Sequence, residues 1–460
     1  MDALKLIRYN TGTDKKLFTQ FAKDFDAVIM NATIAAYSGS AMADLVSVYK
    51  DSYIIDPQTY ILQQNARALI SSTSKKGGIK KSISQYLKQL PNVFLTELEE
   101  KGSISAGVMS DNLDELVQAV GEFELNYISS FIQEKDYNKY FEFISRTEGD
   151  DNIGKGHPKM LIAPYFMLKD IYSPEELMFY INLNSLALNK FIERFGADKY
   201  QIAGQLVMEK GVLASVDQEF ISNLLATYNK LDFEYIFLWV DDFSLIKSDE
   251  IYNSAFAKII KGLNSIGKKP IMSYGGYDSI LLCSEDSPSR LYGVAQSVGY
   301  GEIRRITPVG GGLPVNKYYF PPTHQRLKTE DLSKVLLAMG MFDNTVSDDQ
   351  RILRFHERIC DCDQCSEIID KRFDNFLAFY ESKPFVMKTG IRRNLPTQDA
   401  LEISARHFLF CKVQEWNNVK NENFDKLVCD YVESIKTYCK YYDRSLVGHV
   451  ESWKRNYATR

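Results

Sequence analysis

Short apolar runs rich in β-branched and aromatic residues recur along the chain and end in polar, glycine or proline residues. They span 26–33, 52–56, 159–166, 201–208, 235–242, 269–276, 294–302 and 317–320. Between most of them lie stretches with apolar residues at three-and-four spacing, for example 175–195, 218–231 and 251–266. Continuous apolar strands alternating with amphipathic helices predict a parallel sheet covered on both faces. Eight such strands in a chain of 460 residues predict an α/β fold, a (β/α)8 TIM barrel. The alternative is a doubly wound open sheet, but no Gly-x-Gly-x-x-Gly follows the first predicted strand.

One connection is far too long for a barrel, from Asp56 to Lys159. Within it, Leu113, Leu116, Val117, Val120, Phe123 and Tyr127 keep the spacing of one helical face over 111–133. The segment 61–157 is therefore expected to be a helical insertion on the face where barrel loops lie, with 148–156 as its flexible exit. The barrel is expected over 1–345. A helical C-terminal region is expected over 346–460, where 423–442 again has apolar residues at helical spacing.

Composition is that of an ordinary globular enzyme, 45% hydrophobic and 25% charged. No run approaches the roughly 20 apolar residues of a membrane span. Met1-Asp2-Ala3-Leu4-Lys5 lacks the form of a signal peptide. A cytoplasmic location with no membrane partner is the expectation. The chain has seven cysteines, and three of them crowd into Cys360-Asp361-Cys362-Asp363-Gln364-Cys365. Such a cluster points to a metal site in a reducing compartment, not to disulfides. Soft sulfurs suit zinc, and a structural zinc site takes four ligands. His407, Cys411 and His356 all compete for the fourth place, and spacing does not choose among them. The net charge is −5. Basic residues still gather locally, at Lys75-Lys76-Gly77-Gly78-Ile79-Lys80-Lys81 and at Arg304-Arg305 with Lys317, His324 and Arg326. Solvated loops explain either run taken alone, and His324 reads as a surface histidine.

Working groups of a (β/α)8 enzyme sit at the C-terminal ends of its strands. Counted from 26–33, the second strand ends in Asp56-Pro57-Gln58-Thr59-Tyr60 and the third in Ala163-Pro164-Tyr165-Phe166. The fourth carries Gly204-Gln205 and the fifth ends in Asp241-Asp242. The sixth ends in Tyr274-Gly275-Gly276 and the seventh in Gly299-Tyr300-Gly301-Glu302. Carboxylates converging from different strands are what glycosyl transfer needs. Each has a plainer role available: Asp56 could cap a turn, Asp241 or Asp242 a helix, and Glu302 could pair with Arg304 or Arg305.

The order of these blocks over about 26–415, closed by Cys-x-Cys-x2-Cys and a distant histidine, resembles the tRNA-guanine transglycosylase superfamily. Within it, Asp-Pro-Gln-Thr-Tyr at 56–60 and Lys-Tyr-Tyr-Phe-Pro-Pro-x-His at 317–324 are similar to the DpdA-type branch, which inserts 7-deazaguanine bases into DNA. The resemblance implies His407 as fourth ligand of a structural zinc held by Cys360, Cys362 and Cys365. It implies Asp56 as acid/base and Glu302 as nucleophile, where the superfamily has aspartate. It implies Gln205, Tyr60 and Gly275 as base contacts. The base-reading carboxylate of the superfamily is replaced by Ala163-Pro164, and Asp241 or Asp242 is expected to take its place. The Pro-Thr-Arg segment that contacts tRNA is also missing. The implied activity is exchange of guanine in nucleic acid, DNA favoured over tRNA, for a 7-deazaguanine such as the 7-cyano form. A tRNA enzyme and a non-catalytic nucleic-acid-binding subunit are the alternatives, and further proteins of a DNA-modification system are possible partners.

Overall fold

The computed structural model describes residues 3–9, 14–47, 53–70, 78–131, 158–196, 200–215, 217–299, 302–306, 314–343, 345–387 and 390–459. The predicted exit at 148–156, Lys75-Lys76-Gly77 of the first basic run and Tyr300-Gly301 lie outside the described residues. By internal contacts the chain divides into two compact units. The first is Met1–Phe243 with Ala255–Tyr274 and Arg290–Thr307. The second is Pro308–Arg460 with Ser244–Ser254 and Gly275–Ser289.

Eight parallel strands form a nearly closed barrel in the first unit. They are β1 (Leu4–Arg8), β2 (Ala27–Asn31), β3 (Tyr53–Asp56), β4 (Met160–Ile162), β5 (Gln201–Met208), β6 (Tyr235–Val240), β7 (Lys269–Met272) and β8 (Gly293–Ser297). They run in the sheet order β3-β2-β1-β8-β7-β6-β5-β4. The predicted barrel is present, but its strand count needs correcting. The first strand is Leu4–Arg8, which the apolar pattern misses because Lys5 and Arg8 interrupt it. The run at 317–320 is not a barrel strand: β9 (Lys317–Phe320) pairs antiparallel with β10 (Gln325–Lys328) in the second unit. Asp56 therefore ends the third strand and Glu302 follows the eighth.

Helix starts obey local chemistry. Ser173 caps Pro174–Phe195 in a capping box with Glu176, and Pro174 sits in the first turn. Asp217 caps Gln218–Asn229. The predicted face at 111–133 divides at Asn126 into Leu113–Leu125 and Tyr127–Phe131. The first of these packs beside Pro174–Phe195: a Cβ on Gly121 would collide with the Phe195 ring, and Lys190 pairs with Asp114 at 2.8 Å. It thus serves as the outer helix between β3 and β4, with other helices of the insertion before it and Tyr127–Phe131 after it.

Those two strands form the barrel's seam. Tyr53 bridges Pro158, and the Lys159 N–H donates to the Tyr53 carbonyl at 2.8 Å. Past that point a side chain fills the gap. The Glu124 carboxyl accepts from the Ile162 N–H at 3.1 Å and is 1% exposed. Burial pushes its pKa well above the ordinary carboxyl range, with the nearby Asp56 charge adding to the rise and the Ile162 N–H opposing it. Above that range the unfolded chain gives up this proton while the folded chain keeps it, so stability falls as pH rises. Glu124→Gln keeps the acceptor and has no charge to bury. The variant is expected to gain stability relative to the parent as pH climbs above about 4.3, read from denaturant midpoints. Glu124→Ala orphans the Ile162 N–H and should cost about 1–3 kcal/mol.

Register fixes which residues face the barrel interior, because paired residues on parallel neighbours share a face. Arg8 is level with Ser297, Asn31 with Asp56, Gln205 with Phe237, and Phe237 with Ile271. Lower in the barrel the interior is apolar, with Leu6, Ile29, Ile54, Ile162 and Ala203. Towards the C-terminal ends it turns polar, with Arg8, Asn31, Asp56 and Gln205, all at most 4% exposed. No helix among the described residues is long and apolar enough to cross a membrane.

Candidate functional site

The C-terminal mouth of the barrel is built on a buried ion pair. Arg8 Nη1 donates to Asp56 Oδ2 at 3.0 Å, and both side chains are at most 1% exposed. Arg8 is fixed by two further acceptors, the Ser273 carbonyl at 2.8 Å and Asn31 Oδ1 at 3.3 Å. The other Asp56 oxygen accepts from the Tyr165 hydroxyl at 2.6 Å and the Gln58 N–H at 3.2 Å. Gln58 achieves this in a left-handed backbone conformation, φ +50°, of the kind that clusters at functional sites. Burial, reinforced by the Asp56 charge, raises the Tyr165 pKa, so that hydroxyl stays a donor.

Aromatic rings surround the pair. Tyr60 lies 6.1 Å from Tyr165 and 5.6 Å edge-on to Trp239, and Trp239 lies 5.0 Å from Tyr274. The Arg8 guanidinium sits 4.4 Å over the Tyr274 ring. Such rings offer faces on which a planar base stacks. Among them are polar groups with no hydrogen-bond partner among the described residues: both the amide nitrogen and oxygen of Gln205, the Ser273 hydroxyl and the Tyr274 hydroxyl. The space lined by Ala163, Pro164, Tyr165 and Gln205, together with residues of the outer helices, is too tight to admit a water molecule. Buried polar groups are nearly always bonded, so these open groups make the mouth the candidate functional site.

Asp56, Tyr60 and Gln205 all belong to this mouth. Asp241 and Asp242 do something different. The Asp241 carboxyl accepts from the Ile306 N–H. Asp242, at φ +47°, donates its N–H to the Arg304 carbonyl at 3.3 Å and pairs with Arg305 at 3.3 Å, both side chains exposed. Burial raises the Asp241 pKa, against the pull of the Ile306 N–H. Together they clamp the segment 302–306, on which Glu302 is half-buried. Of the plainer roles, the Arg305 partner is Asp242. Gly275 is buried and belongs to the second unit. Arg8 was missed by the sequence analysis, and the signal available was a basic residue closing an N-terminal apolar stretch.

In the second unit, Cys360, Cys362, Cys365 and His407 bring their ligand atoms within 4.8 Å of one another. His407 Nδ1 stands 3.9, 3.3 and 3.4 Å from the three sulfurs in turn. Tetrahedral ligands about 2.0–2.3 Å from one ion would be separated by about 3.5 Å, so the set fits a metal. The far ring nitrogen, Nε2, bonds the Tyr319 carbonyl at 2.7 Å, which fixes the tautomer that leaves Nδ1 facing the sulfurs. Tyr318 stacks on the ring at 4.3 Å and its hydroxyl lies 3.3 Å from Cys365 Sγ. Burial resists charging His407, but the Cys360 and Cys362 sulfurs outweigh it and lift its pKa to about 10. The cluster attracts positive charge. Cys411, one turn on, lies 3.6 Å from Nδ1 and is the neighbouring fifth donor. His356 bonds the Cys360 carbonyl at 2.8 Å instead.

His324 is not a plain surface histidine. Its Nδ1 lies 2.6 Å from Glu415, its ring stacks 3.4 Å from Tyr277, and Lys412 joins the same carboxylate at 2.7 Å. An open cleft of about 760 Å³ lies between Glu367 and Glu381 and holds none of the residues singled out above.

Fold and sites together define a TIM-like barrel with a polar, aromatic-lined mouth and, in a second unit, a Cys3His cluster compatible with a metal. No protein-family model matches the chain, and no curated protein matches it either.

Proposed function

We propose that the protein is a base-exchange transglycosylase that replaces guanine in nucleic acid, DNA before tRNA, with a 7-deazaguanine such as 7-cyano-7-deazaguanine. The observation that carries this is the unpartnered Gln205 amide among aromatic rings beside the buried Asp56. A purine edge needs both a donor and an acceptor, and an amide supplies both. The target nucleotide would leave its stack to enter the mouth. A Glu302 oxygen bonds to the sugar C1′ as the C1′–N9 bond breaks, and guanine leaves with the bonding pair and takes onto its ring the proton that Asp56 carries. The incoming deazaguanine gives its N9 proton to Asp56 and bonds to C1′ as Glu302 is released. Arg8 and Tyr165 hold Asp56 in place, and Asp241 and Asp242 hold the segment of Glu302. Zinc is the metal that three thiolates and one imidazole suit, and four protein ligands make its role structural.

A second reading, a nucleic-acid-binding subunit without catalysis, is favoured by one observation: Arg8, Tyr165 and Gln58 already occupy both Asp56 oxygens. One experiment separates the two. Protein, duplex DNA or tRNA, and labelled 7-cyano-7-deazaguanine are incubated, and the nucleosides are analysed by mass spectrometry. Label is expected in the polymer, and a denaturation-resistant adduct is expected in the parent but not in Glu302→Gln, because an amide is a poor nucleophile. No label and no adduct on either polymer would leave the binding subunit.

A further inference from the structure

Between Cys365 and His407 the chain makes a detour that neither the cluster nor the barrel uses. A two-stranded antiparallel ribbon, β11 (Ser382–Val386) and β12 (Arg392–Pro396), leaves the second unit and returns. All of β11 is exposed, as are Arg392, Arg393 and Asn394 of β12. The turn closes with the Met387 N–H on the Ile391 carbonyl at 2.9 Å, and Gly390 takes φ +80°, a conformation that suits glycine. The base is firm. The Thr397 N–H donates to the Glu381 carbonyl at 2.9 Å, while the Thr397 hydroxyl caps the helix that carries His407.

An isolated two-stranded ribbon is marginal in water at best, and this one leaves large apolar side chains in solvent. Phe385 is 42% exposed, Val386 59% and Ile391 52%. Its charge has one sign: Lys383, Lys388, Arg392 and Arg393 are present, and no Asp or Glu occurs from Ser382 through Gln398, in a chain of net charge −5. Among the described residues Lys383, Arg392 and Arg393 have no acidic partner. Register puts Phe385 opposite Arg393 and Val386 opposite Arg392, so each face mixes apolar and cationic groups. Self-pairing of the ribbon through its edges is opposed by Pro384, Pro396 and like charge.

We propose that this ribbon is an arm that enters a groove of duplex DNA. Five residues of strand reach roughly 17 Å, and the major groove of B-form DNA admits a two-stranded ribbon, whereas the deep groove of A-form RNA does not. Lys383, Arg392 and Arg393 contact phosphates. Phe385, Val386 and Ile391 lie against base edges or wedge between bases. The inference extends the base-exchange reading to a surface outside the barrel and rests on it only in taking nucleic acid as the partner.

The test is fluorescence anisotropy with the full chain and a short labelled duplex, all DNA in one series and all RNA in the other, across a range of salt concentrations. No deazaguanine is present, so failure here is separate from failure of base exchange. K383A/R392A/R393A is expected to bind duplex DNA about tenfold or more weakly, with the log–log salt slope reduced by about 0.9 for each phosphate that is no longer neutralised. Phe385→Ala should weaken binding while leaving the slope unchanged. Metal content and Tm should match the parent in both. K101A/K426A/K436A, the same charge change at other exposed positions, should retain DNA affinity. Unchanged affinity and slope in the ribbon triple variant, an equal loss in the control, equal ribbon-dependent binding to duplex RNA, or no binding of either duplex by the parent would each overturn the proposal.

Discussion

Cys362→Ser is expected to strip the metal from the second unit and unfold much of it. Cys362 has two duties. Its sulfur is one of the three facing His407 Nδ1, and it caps the helix Asp363–Ile369 by accepting from the Cys365 N–H at 3.5 Å. Serine keeps a cap but is a poor soft-metal ligand. Structural zinc is worth about 10–16 kcal/mol of apparent binding free energy in small zinc domains, comparable to the usual stability of a whole domain of about 5–15 kcal/mol. The parent should hold one metal ion per chain and the variant none. Limited proteolysis should then cut the variant within Pro308–Arg460. Metal content unchanged in Cys362→Ser would refute the site. His407→Ala should also lose the metal. If Cys411 is the working fourth ligand instead, Cys411→Ser will lose it and His407→Ala will keep it.

Breaking the Arg8–Asp56 pair should have the next largest effect. A buried pair adds little net stability over an apolar replacement, but removing one partner leaves a charge stranded, at about 3–5 kcal/mol. Arg8→Met is expected to lose stability in that range, since Asp56 would keep only the Tyr165 hydroxyl and the Gln58 N–H. Asp56→Asn strands Arg8 less severely, because the Ser273 carbonyl and Asn31 remain. The double variant should recover part of the loss, and the cycle of denaturant midpoints reads the coupling directly. Additive single losses would mean that the two groups do not sense each other. Under the proposed base exchange, Asp56→Asn should also cut turnover by about 10²–10⁴-fold, beyond what its stability loss explains at a temperature where the variant is folded.

The barrel was legible because β2 through β8 are buried along their length and read as apolar runs. β1 was not, because Lys5 and Arg8 break the run, although the Lys5 N–H is tied to the Asp26 carboxylate at 2.7 Å. The run at 317–320 is a strand, but periodicity carries no information about its partner. Asp56 and Gln205 could be found as polar residues at strand ends. The Arg8–Asp56 pairing could not, since it joins residues 48 positions apart. Asp241 and Asp242 illustrate a further limit of sequence: their bonds to Ile306 and Arg305 are tertiary contacts that periodicity does not carry. The three-cysteine triplet was plain. His407 and Cys411 lie one turn apart on a helix, and only the direction of Nδ1 distinguishes their places.

The seam at Glu124 sets an order of events. β3 and β4 share little hydrogen bonding of their own, and Glu124 of the helix Leu113–Leu125 reaches both: its carboxyl accepts from the Ile162 N–H and its backbone carbonyl from the Tyr53 hydroxyl at 3.4 Å. The ring of strands is expected to shut late, once that helix has docked after a long excursion of the chain. Loop-closure entropy grows slowly with length, so the excursion costs little at equilibrium. Its cost falls on speed, because distant contacts form late. Stopped-flow refolding is expected to show barrel closure as a slow phase. Glu124→Ala should destabilise mainly by faster unfolding, as a contact made after the transition state does.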